Sequence, residues 1–195
     1  MNNYDKKNIQ LRQLYNINKD CNPCIFGKIE HNHKVFGEGS PLATLMFIGE
    51  APGADEDRLK RPFVGRSGKL LDKIFHHLGF SRNDVYITNI VKCRPPNNKT
   101  PLPEEITPEA KKLLKDEISI IRPHVICTLG AVSTQLFFKH PIKMSQVRGQ
   151  QIQFEASKII LLPSFHPAYA LRNKDAEKDL FNDILEAHRI SKIDN

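Results

Sequence analysis

The stretch Thr44-Leu-Met-Phe-Ile-Gly-Glu-Ala-Pro-Gly53 decides the fold. It starts as a short apolar run and stops at a glycine, a pattern typical of a buried strand that leads into a turn. The two glycines let the backbone turn sharply and approach a ligand closely. Glu50 would therefore lie at the floor of a pocket rather than in bulk water, which makes it the first candidate catalytic residue, although a Gly-Glu turn by itself is more often an ordinary turn.

Three more segments have the apolar and β-branched composition of strands, and segments with helical spacing separate them. The predicted strands cover residues 85–91, 124–129 and 159–162. The predicted helices cover residues 67–80 and 131–138, and a further helix opens at Pro103 with proline and acids in its first turn. Strands that alternate with helices predict an α/β fold with a parallel sheet covered on both faces. Ligands of such sheets bind outside the carboxyl ends of the strands.

The composition is that of an ordinary globular protein. The chain has 195 residues, 39% hydrophobic and 26% charged, which fits one domain with a substantial core. Its net charge of +7 is common among proteins that work near phosphate, although a basic soluble protein of another kind fits as well. No apolar signal region follows the polar N-terminus, and no stretch approaches the roughly 18 apolar residues that span a bilayer. We therefore expect a cytoplasmic protein without membrane contact, in which four cysteines indicate metal or redox chemistry rather than a disulfide framework.

Three further side chains are candidates for a binding site. Phe63 lies between a proline and a glycine, which suits an aromatic ring presented from a stiff loop as well as a core phenylalanine. Asn89 lies inside an apolar strand, where its amide is costly unless it is paired, either with neighbouring backbone or with a ligand. The side-chain amide of Asn89 offers one acceptor and two donors, which match the N3–H and O4 edge of uracil. His166 follows the fourth strand and can donate a hydrogen bond to an oxygen that gains negative charge, although a loop histidine is usually just solvated.

Four motifs follow one another along the chain: Gly-Glu-Ala-Pro-Gly, Pro-Phe-Val-Gly-Arg-Ser-Gly, Thr-Asn-Ile-Val-Lys-Cys-Arg-Pro-Pro and His-Pro-Ala-Tyr-Ala-Leu-Arg. Together they resemble the family-4 uracil-DNA glycosylases, the iron–sulfur branch of that superfamily, from about Cys21 to Arg172. The resemblance implies a three-layer α/β/α sandwich with a short, mostly parallel four-stranded central sheet. It implies a single domain over residues 1–195, with an N-terminal helix and C-x-x-C segment in residues 1–40 and an α/β core in residues 41–195.

The resemblance also implies a DNA repair enzyme that flips uracil out of single- or double-stranded DNA and hydrolyses its N-glycosidic bond, leaving an abasic site. Glu50 would orient the attacking water and offset positive charge on the sugar, and His166 would stabilise the uracil anion. Phe63 would stack on the base and Asn89 would hydrogen-bond its edge. Glu56 would crowd the position of a thymine methyl group. The bond-breaking chemistry needs no cofactor.

The segment after the motif tyrosine is expected to meet the DNA. Relatives usually have leucines there, one of which wedges into the space left by the base, whereas this chain has Ala170-Leu171-Arg172. Leu171 is the remaining apolar wedge, and Arg172 can reach a phosphate or stack on a base. We expect the protein to act as a monomer.

The cysteines depart from the family pattern. By the resemblance, Cys21, Cys24 and Cys93 would hold a structural 4Fe-4S cluster. The fourth ligand of the family is a cysteine on the next helix, and the corresponding position here is Glu109. The remaining cysteine, Cys127, lies mid-strand and reads as a small core residue.

Three interpretations of these cysteines stay open. A cluster is held by three cysteines, with Glu109 or an exogenous ligand completing it. Alternatively, zinc is held by the same cysteines with His31 or His33. In the third interpretation the cluster has been lost.

Other functions fit parts of the sequence. A glycosylase of the same fold with another base preference, for hypoxanthine or mismatched thymine, is the main alternative. A non-catalytic single-stranded DNA binder would be expected to lack Glu50 or His166, and both are present. A thioredoxin-type redox protein would open a helix with its C-x-x-C directly after a strand, whereas here the pair follows a helical segment.

Overall fold

A central sheet organises the chain, as seen in a computed structural model that describes residues 1–19, 34–153 and 158–193. Within these residues the sheet has six strands in the order β1-β3-β2-β4-β6-β5. The strands are β1 (Glu38–Gly39), β2 (Leu45–Gly49), β3 (Tyr86–Asn89), β4 (Val125–Leu129), β5 (Ile152–Gln153) and β6 (Ile160–Ser164). The four inner strands are parallel to one another, and β1 and β5 pair antiparallel at the two edges.

The four parallel strands are the four that the sequence predicts, so the α/β fold is confirmed, but the sheet has six strands instead of four. Both additional strands lie at the edges and have only two residues each. Two residues carry no hydrophobic period, which is why the sequence pattern misses them.

Eight helices surround the sheet in the described part of the chain. They are α1 (Asn3–Asn18), α2 (Ala54–Leu59), α3 (Arg66–His77), α4 (Pro108–Ile121), α5 (Ala131–Gln135), α6 (Met144–Val147), α7 (Pro167–Ala170) and α8 (Lys174–Ser191). The predicted helix start at Pro103 is wrong. Residues Pro103–Glu105 form a separate 3-10 turn, and α4 begins at Pro108 because the Thr107 hydroxyl accepts a hydrogen bond from the Ala110 N–H at 3.2 Å.

Side chains of β2 alternate between the two faces of the sheet and create the three layers. Leu45 and Phe47 join a buried cluster with the apolar faces of α3 and α8. Met46 and Ile48 join a second cluster on the opposite face, which contains apolar side chains of α1 and α4. All four side chains are at most 1% exposed, as expected for a strand that is covered on both faces. The three-layer α/β/α arrangement is thereby confirmed.

The parallel strands bring three polar loops to one edge. Strands β3 and β2 are neighbours, and β6 is separated from β2 only by β4. Glu50 directly follows β2, Asn89 is the last residue of β3, and His166 lies two residues after β6. The carboxyl edge of the sheet is therefore where the candidate residues gather.

None of the helices in the described ranges combines the length and the apolar character that a bilayer-crossing segment requires.

Candidate active site

A cavity of about 520 Å³ opens at the carboxyl edge of the sheet. Its volume is in the usual range for small-molecule sites. Its lining includes six of the residues that the sequence singled out: Glu50, Glu56, Phe63, Asn89, His166 and Arg172. Leu171 does not line the cavity, and it is 40% exposed on the adjoining surface.

Phe63 forms an aromatic wall that is held rigidly. Its backbone has a φ of 53°, a left-handed conformation that is costly for a residue with a bulky side chain. The Arg82 guanidinium maintains this conformation by donating to the carbonyl of Pro62 at 2.9 Å and to the carbonyl of Phe63. The Phe63 ring is 5% exposed, and its centroid lies 6.0 Å from that of the His166 ring. Phe63 is therefore a core residue and a cavity residue at once.

Glu56 braces the same loop from the other side. One carboxylate oxygen accepts the N–H groups of Val64 at 2.9 Å and Gly65 at 2.7 Å, and the other accepts the N–H of Gly53 at 3.2 Å. The carboxylate thus joins the turn after β2 to the loop that carries Phe63. Its suggested role against thymine stays a prediction, while its role as a brace follows from these bonds.

Asn89 lines the cavity and carries a buried polar atom without a partner among the described residues. The residue is 2% exposed, and its Oδ1 has no hydrogen-bond partner among the described residues. A Cβ placed on Gly49 would lie 2.4 Å from this oxygen and 2.3 Å from the Phe63 ring. Position 49 therefore needs glycine, because the amide and the ring approach its Cα too closely for any side chain.

His166 is held as a neutral donor. Its Nδ1 accepts a hydrogen bond from the N–H of Ala168 at 3.1 Å, so the proton of the neutral ring is on Nε2. Burial lowers the pKa of His166 to about 4, and the negative charge of Glu56 opposes this shift only in part. At neutral pH the ring therefore offers an Nε2–H without carrying a positive charge.

Glu50 shares the cavity as its second acid. Burial raises the pKa of the Glu50 carboxyl, and a hydrogen bond with the Thr100 side chain acts in the opposite direction. A carboxylate that is partly removed from water interacts more strongly with a developing positive charge than an exposed one does. The cavity thus combines an acid, an imidazole donor, an amide and an aromatic face.

The sequence interpretation missed several lining residues. Ser67, Tyr169 and the loop of residues 95–100 complete the wall, and Thr100 of this loop reaches Glu50. Tyr169 belongs to the same motif as His166, so its position in the motif was a usable signal. Pro95 belongs to the third motif, whereas residues 97–100 gave no such signal, because their path depends on left-handed conformations at Asn97 and Asn98 that the residue types permit but do not dictate.

The structure tests the proposed metal ligands only in part. Cys21, Cys24, His31 and His33 lie outside the described residues. Cys93 is buried and Glu109 is exposed in the first turn of α4. Within the described ranges, no group of three or more metal-binding side chains comes together.

Cys127 is fully buried in the core, as the sequence predicts, and burial raises the pKa of its thiol well above the ordinary value.

Comparison with known proteins gives the class to which this fold and cavity belong. The family model described as the Uracil DNA glycosylase superfamily matches residues 36–189, which include every residue of the cavity described above. The class is therefore that of enzymes acting on bases in DNA, and DNA is the macromolecular partner.

Curated relatives narrow the class. A type-4 uracil-DNA glycosylase of Thermotoga maritima is 43% identical over 160 residues, which cover 82% of both chains. One from Saccharolobus solfataricus is 46% identical over 172 residues, covering 85% of this chain and 79% of the relative. One from Pyrobaculum aerophilum is 38% identical over 182 residues, covering 88% of this chain and 92% of the relative. The chain belongs to the type-4 uracil-DNA glycosylase family. It is a DNA repair enzyme that excises uracil by hydrolysing an N-glycosyl bond, which removes the thioredoxin-type and non-catalytic alternatives.

Proposed function

We propose that the cavity binds one flipped-out uracil, with Phe63 against its face and Asn89 at its pyrimidine edge. The observation that carries this proposal is the buried Oδ1 of Asn89, which has no partner in the described part of the chain. A buried acceptor without a partner costs about 1–3 kcal/mol. The N3–H of uracil would remove that cost, and the amide N–H would bond O4. Cytosine presents an acceptor and a donor in the reverse order.

The bond-breaking step separates charge. Cleavage of the N-glycosidic bond leaves a cationic sugar and an anionic base, and water then attacks the anomeric carbon. The neutral Nε2–H of His166 would donate to the uracil oxygen that gains negative charge. The Glu50 carboxylate would offset the charge of the sugar and accept the proton of the attacking water. Both interactions strengthen as charge develops, so they stabilise the transition state more than the ground state.

The cavity mouth would contact the DNA. Arg172 and Tyr169 line the cavity, and Leu171 beside them is exposed. Leu171 would enter the stack where the base has left, and Arg172 would bind a phosphate. We infer that uracil is preferred over thymine because Glu56 crowds the position of the methyl group. We propose that the protein acts as a cytoplasmic monomer on single- and double-stranded substrates.

We propose that Cys21, Cys24 and Cys93 hold a 4Fe-4S cluster, with Glu109 or an exogenous ligand as the fourth ligand. Such a cluster would be structural and would supply nothing to bond breaking. Anaerobically purified protein should contain iron and show the visible absorbance of a cluster. Protein that contains zinc instead, or no metal, would contradict this assignment.

The test of the proposed site uses end-labelled oligonucleotides that carry one uracil, hypoxanthine, or thymine opposite guanine. Alkaline cleavage after incubation reports each abasic site. The wild-type chain should cleave the uracil substrate, and Asn89→Ala should lose most of that activity while keeping its thermal transition. Excision of hypoxanthine or thymine at the rate of uracil would contradict the recognition scheme, and so would full activity of Asn89→Ala.

A further inference from the structure

A buried lysine, Lys92, lies next to the cavity residue Asn89. The side chain of Lys92 is 3% exposed, and its ammonium donates to the carboxylate of Glu117 at 2.6 Å. The same ammonium donates to the backbone carbonyl of Asn89 at 2.7 Å and to the Thr88 hydroxyl. Lys92 does not line the cavity, and its bonds tie the end of β3 to α4.

Stability alone is a poor explanation for this ion pair. Removing two charges from water is costly, and apolar pairs of similar volume often stabilise a core equally well or better. The Glu117 carboxylate is 0% exposed and is also bonded by the Tyr15 hydroxyl at 2.8 Å. Helices α1 and α4 therefore both anchor the acceptor that holds the lysine.

The bond from the Lys92 ammonium to the Asn89 carbonyl lies next to the active site. Strand β3 ends at Asn89, and the chain then leaves the sheet while remaining tied to the end of β2. The N–H of Ile90 donates to the Gly49 carbonyl at 3.0 Å, and the N–H of Val91 donates to the Glu50 carbonyl at 3.0 Å. Lys92 closes this segment by bonding back to Asn89 three residues earlier. The segment thus sets the position of the Asn89 amide.

We propose that Lys92, anchored by Glu117, is a positioning residue for base recognition, since it fixes the Asn89 backbone and so aims the amide into the cavity. This inference rests on the base-binding role proposed for Asn89. It assigns a function to a buried charge that touches neither the base nor the sugar. Loss of the Lys92 bond should weaken uracil recognition through Asn89, apart from any loss of stability.

The double variant Lys92→Met/Glu117→Gln separates an effect on the position of the Asn89 amide from an effect on the stability of the protein. It removes both charges, keeps apolar volume at position 92, and leaves an acceptor for the Tyr15 hydroxyl. We expect a thermal transition close to that of the wild type. The kcat/KM for uracil excision and the affinity for free uracil as an inhibitor should each fall about tenfold or more, because the Asn89 amide is displaced. Glu117→Gln alone leaves the Lys92 ammonium buried without its counter-charge, so it should lower the thermal transition, but it keeps the Lys92 bond to Asn89, so kcat/KM should fall less than in the double variant. Wild-type kcat/KM in the stable double variant would overturn the proposal, and so would an equal loss in Glu117→Gln.

The substitutions Lys92→Met and Glu117→Gln are then introduced together into Asn89→Ala. Since Lys92 acts through Asn89, the pair should now cost less than about twofold, because coupled positions are not additive. A further tenfold loss in that background would show that Lys92 acts elsewhere and would overturn the positioning role alone. If Asn89→Ala itself retains wild-type excision, the proposed base-binding role fails, and the positioning role fails with it. Lys92→Leu/Glu117→Gln repeats both comparisons should the methionine variant lose its thermal transition.

Discussion

Substitution of Gly49 by alanine tests how closely the cavity walls approach one another. The added Cβ would lie 2.3 Å from the Phe63 ring and 2.4 Å from Oδ1 of Asn89. Neither group can withdraw easily, because Arg82 holds the Phe63 carbonyl and Lys92 holds the Asn89 carbonyl. Carbon atoms in contact lie about 3.5–4.0 Å apart, so the ring or the strand must move by more than about 1 Å.

That displacement predicts two effects of Gly49→Ala. Overpacking of a filled core costs about 1–3 kcal/mol, which corresponds to a fall in Tm of about 2–4 °C per kcal/mol for a chain of this size. Displacement of a catalytic or binding group by about 1 Å costs on the order of 10²-fold in rate. We therefore expect a folded enzyme with a modestly lowered Tm and a loss of excision much larger than the loss of folded protein.

Single-turnover cleavage of a uracil oligonucleotide measures the rate, and thermal denaturation measures the stability. Gly79→Ala is the matched control, since Gly79 has a φ of 77° and its added Cβ would meet nothing within 4 Å. It should cost about 1–3 kcal/mol through backbone strain and leave the rate of the folded enzyme unchanged. If Gly49→Ala excises uracil at the wild-type rate, Phe63 and Asn89 do not flank the base as proposed.

Three further predictions follow from the same geometry. His166→Ala and Glu50→Gln should each lower the single-turnover rate by about 10²–10³-fold, or about 2.7–4 kcal/mol of barrier, and near-normal rates in both would contradict the proposed roles. Because the Glu50 carboxylate is the active form and burial raises its pKa, the rate should fall as pH drops through that raised pKa. This fall in rate at acid pH should be absent in Glu50→Gln. It should move to higher pH in Thr100→Val, which loses the hydroxyl bond that lowers the Glu50 pKa. A fall that stays at the same pH in both variants would exclude Glu50 as its source. Leu171→Ala should reduce kcat/KM on duplex DNA more than on single-stranded DNA, since only a duplex leaves a gap in the stack, and equal losses on both would exclude a wedge.

The positions of Glu50, Asn89 and His166 were predictable because parallel strands end at the same edge of a sheet. Apolar runs of four to seven residues locate the strands, and the polar residues at or just beyond their carboxyl ends then lie at that edge. The four motifs added the identity of the family, which spacing alone did not supply. The structure brings these side chains to one cavity, while their individual roles stay predictions.

Other features depend on contacts that sequence patterns do not encode. Lys92 and Glu117 are 25 residues apart, and nothing local indicates that they form a buried pair. The brace that Glu56 provides depends on backbone N–H groups eight and nine residues away. The edge strands are too short to show a period, and α4 begins later than the proline and acids suggest because Thr107 is the residue that caps it.

The most direct measurement is a crystal structure of the enzyme with bound uracil at neutral pH. The account predicts a uracil ring against Phe63, its N3–H on Oδ1 of Asn89, and one carbonyl oxygen within hydrogen-bond distance of Nε2 of His166. A uracil bound elsewhere, or one that leaves Oδ1 of Asn89 without a partner, would contradict the account.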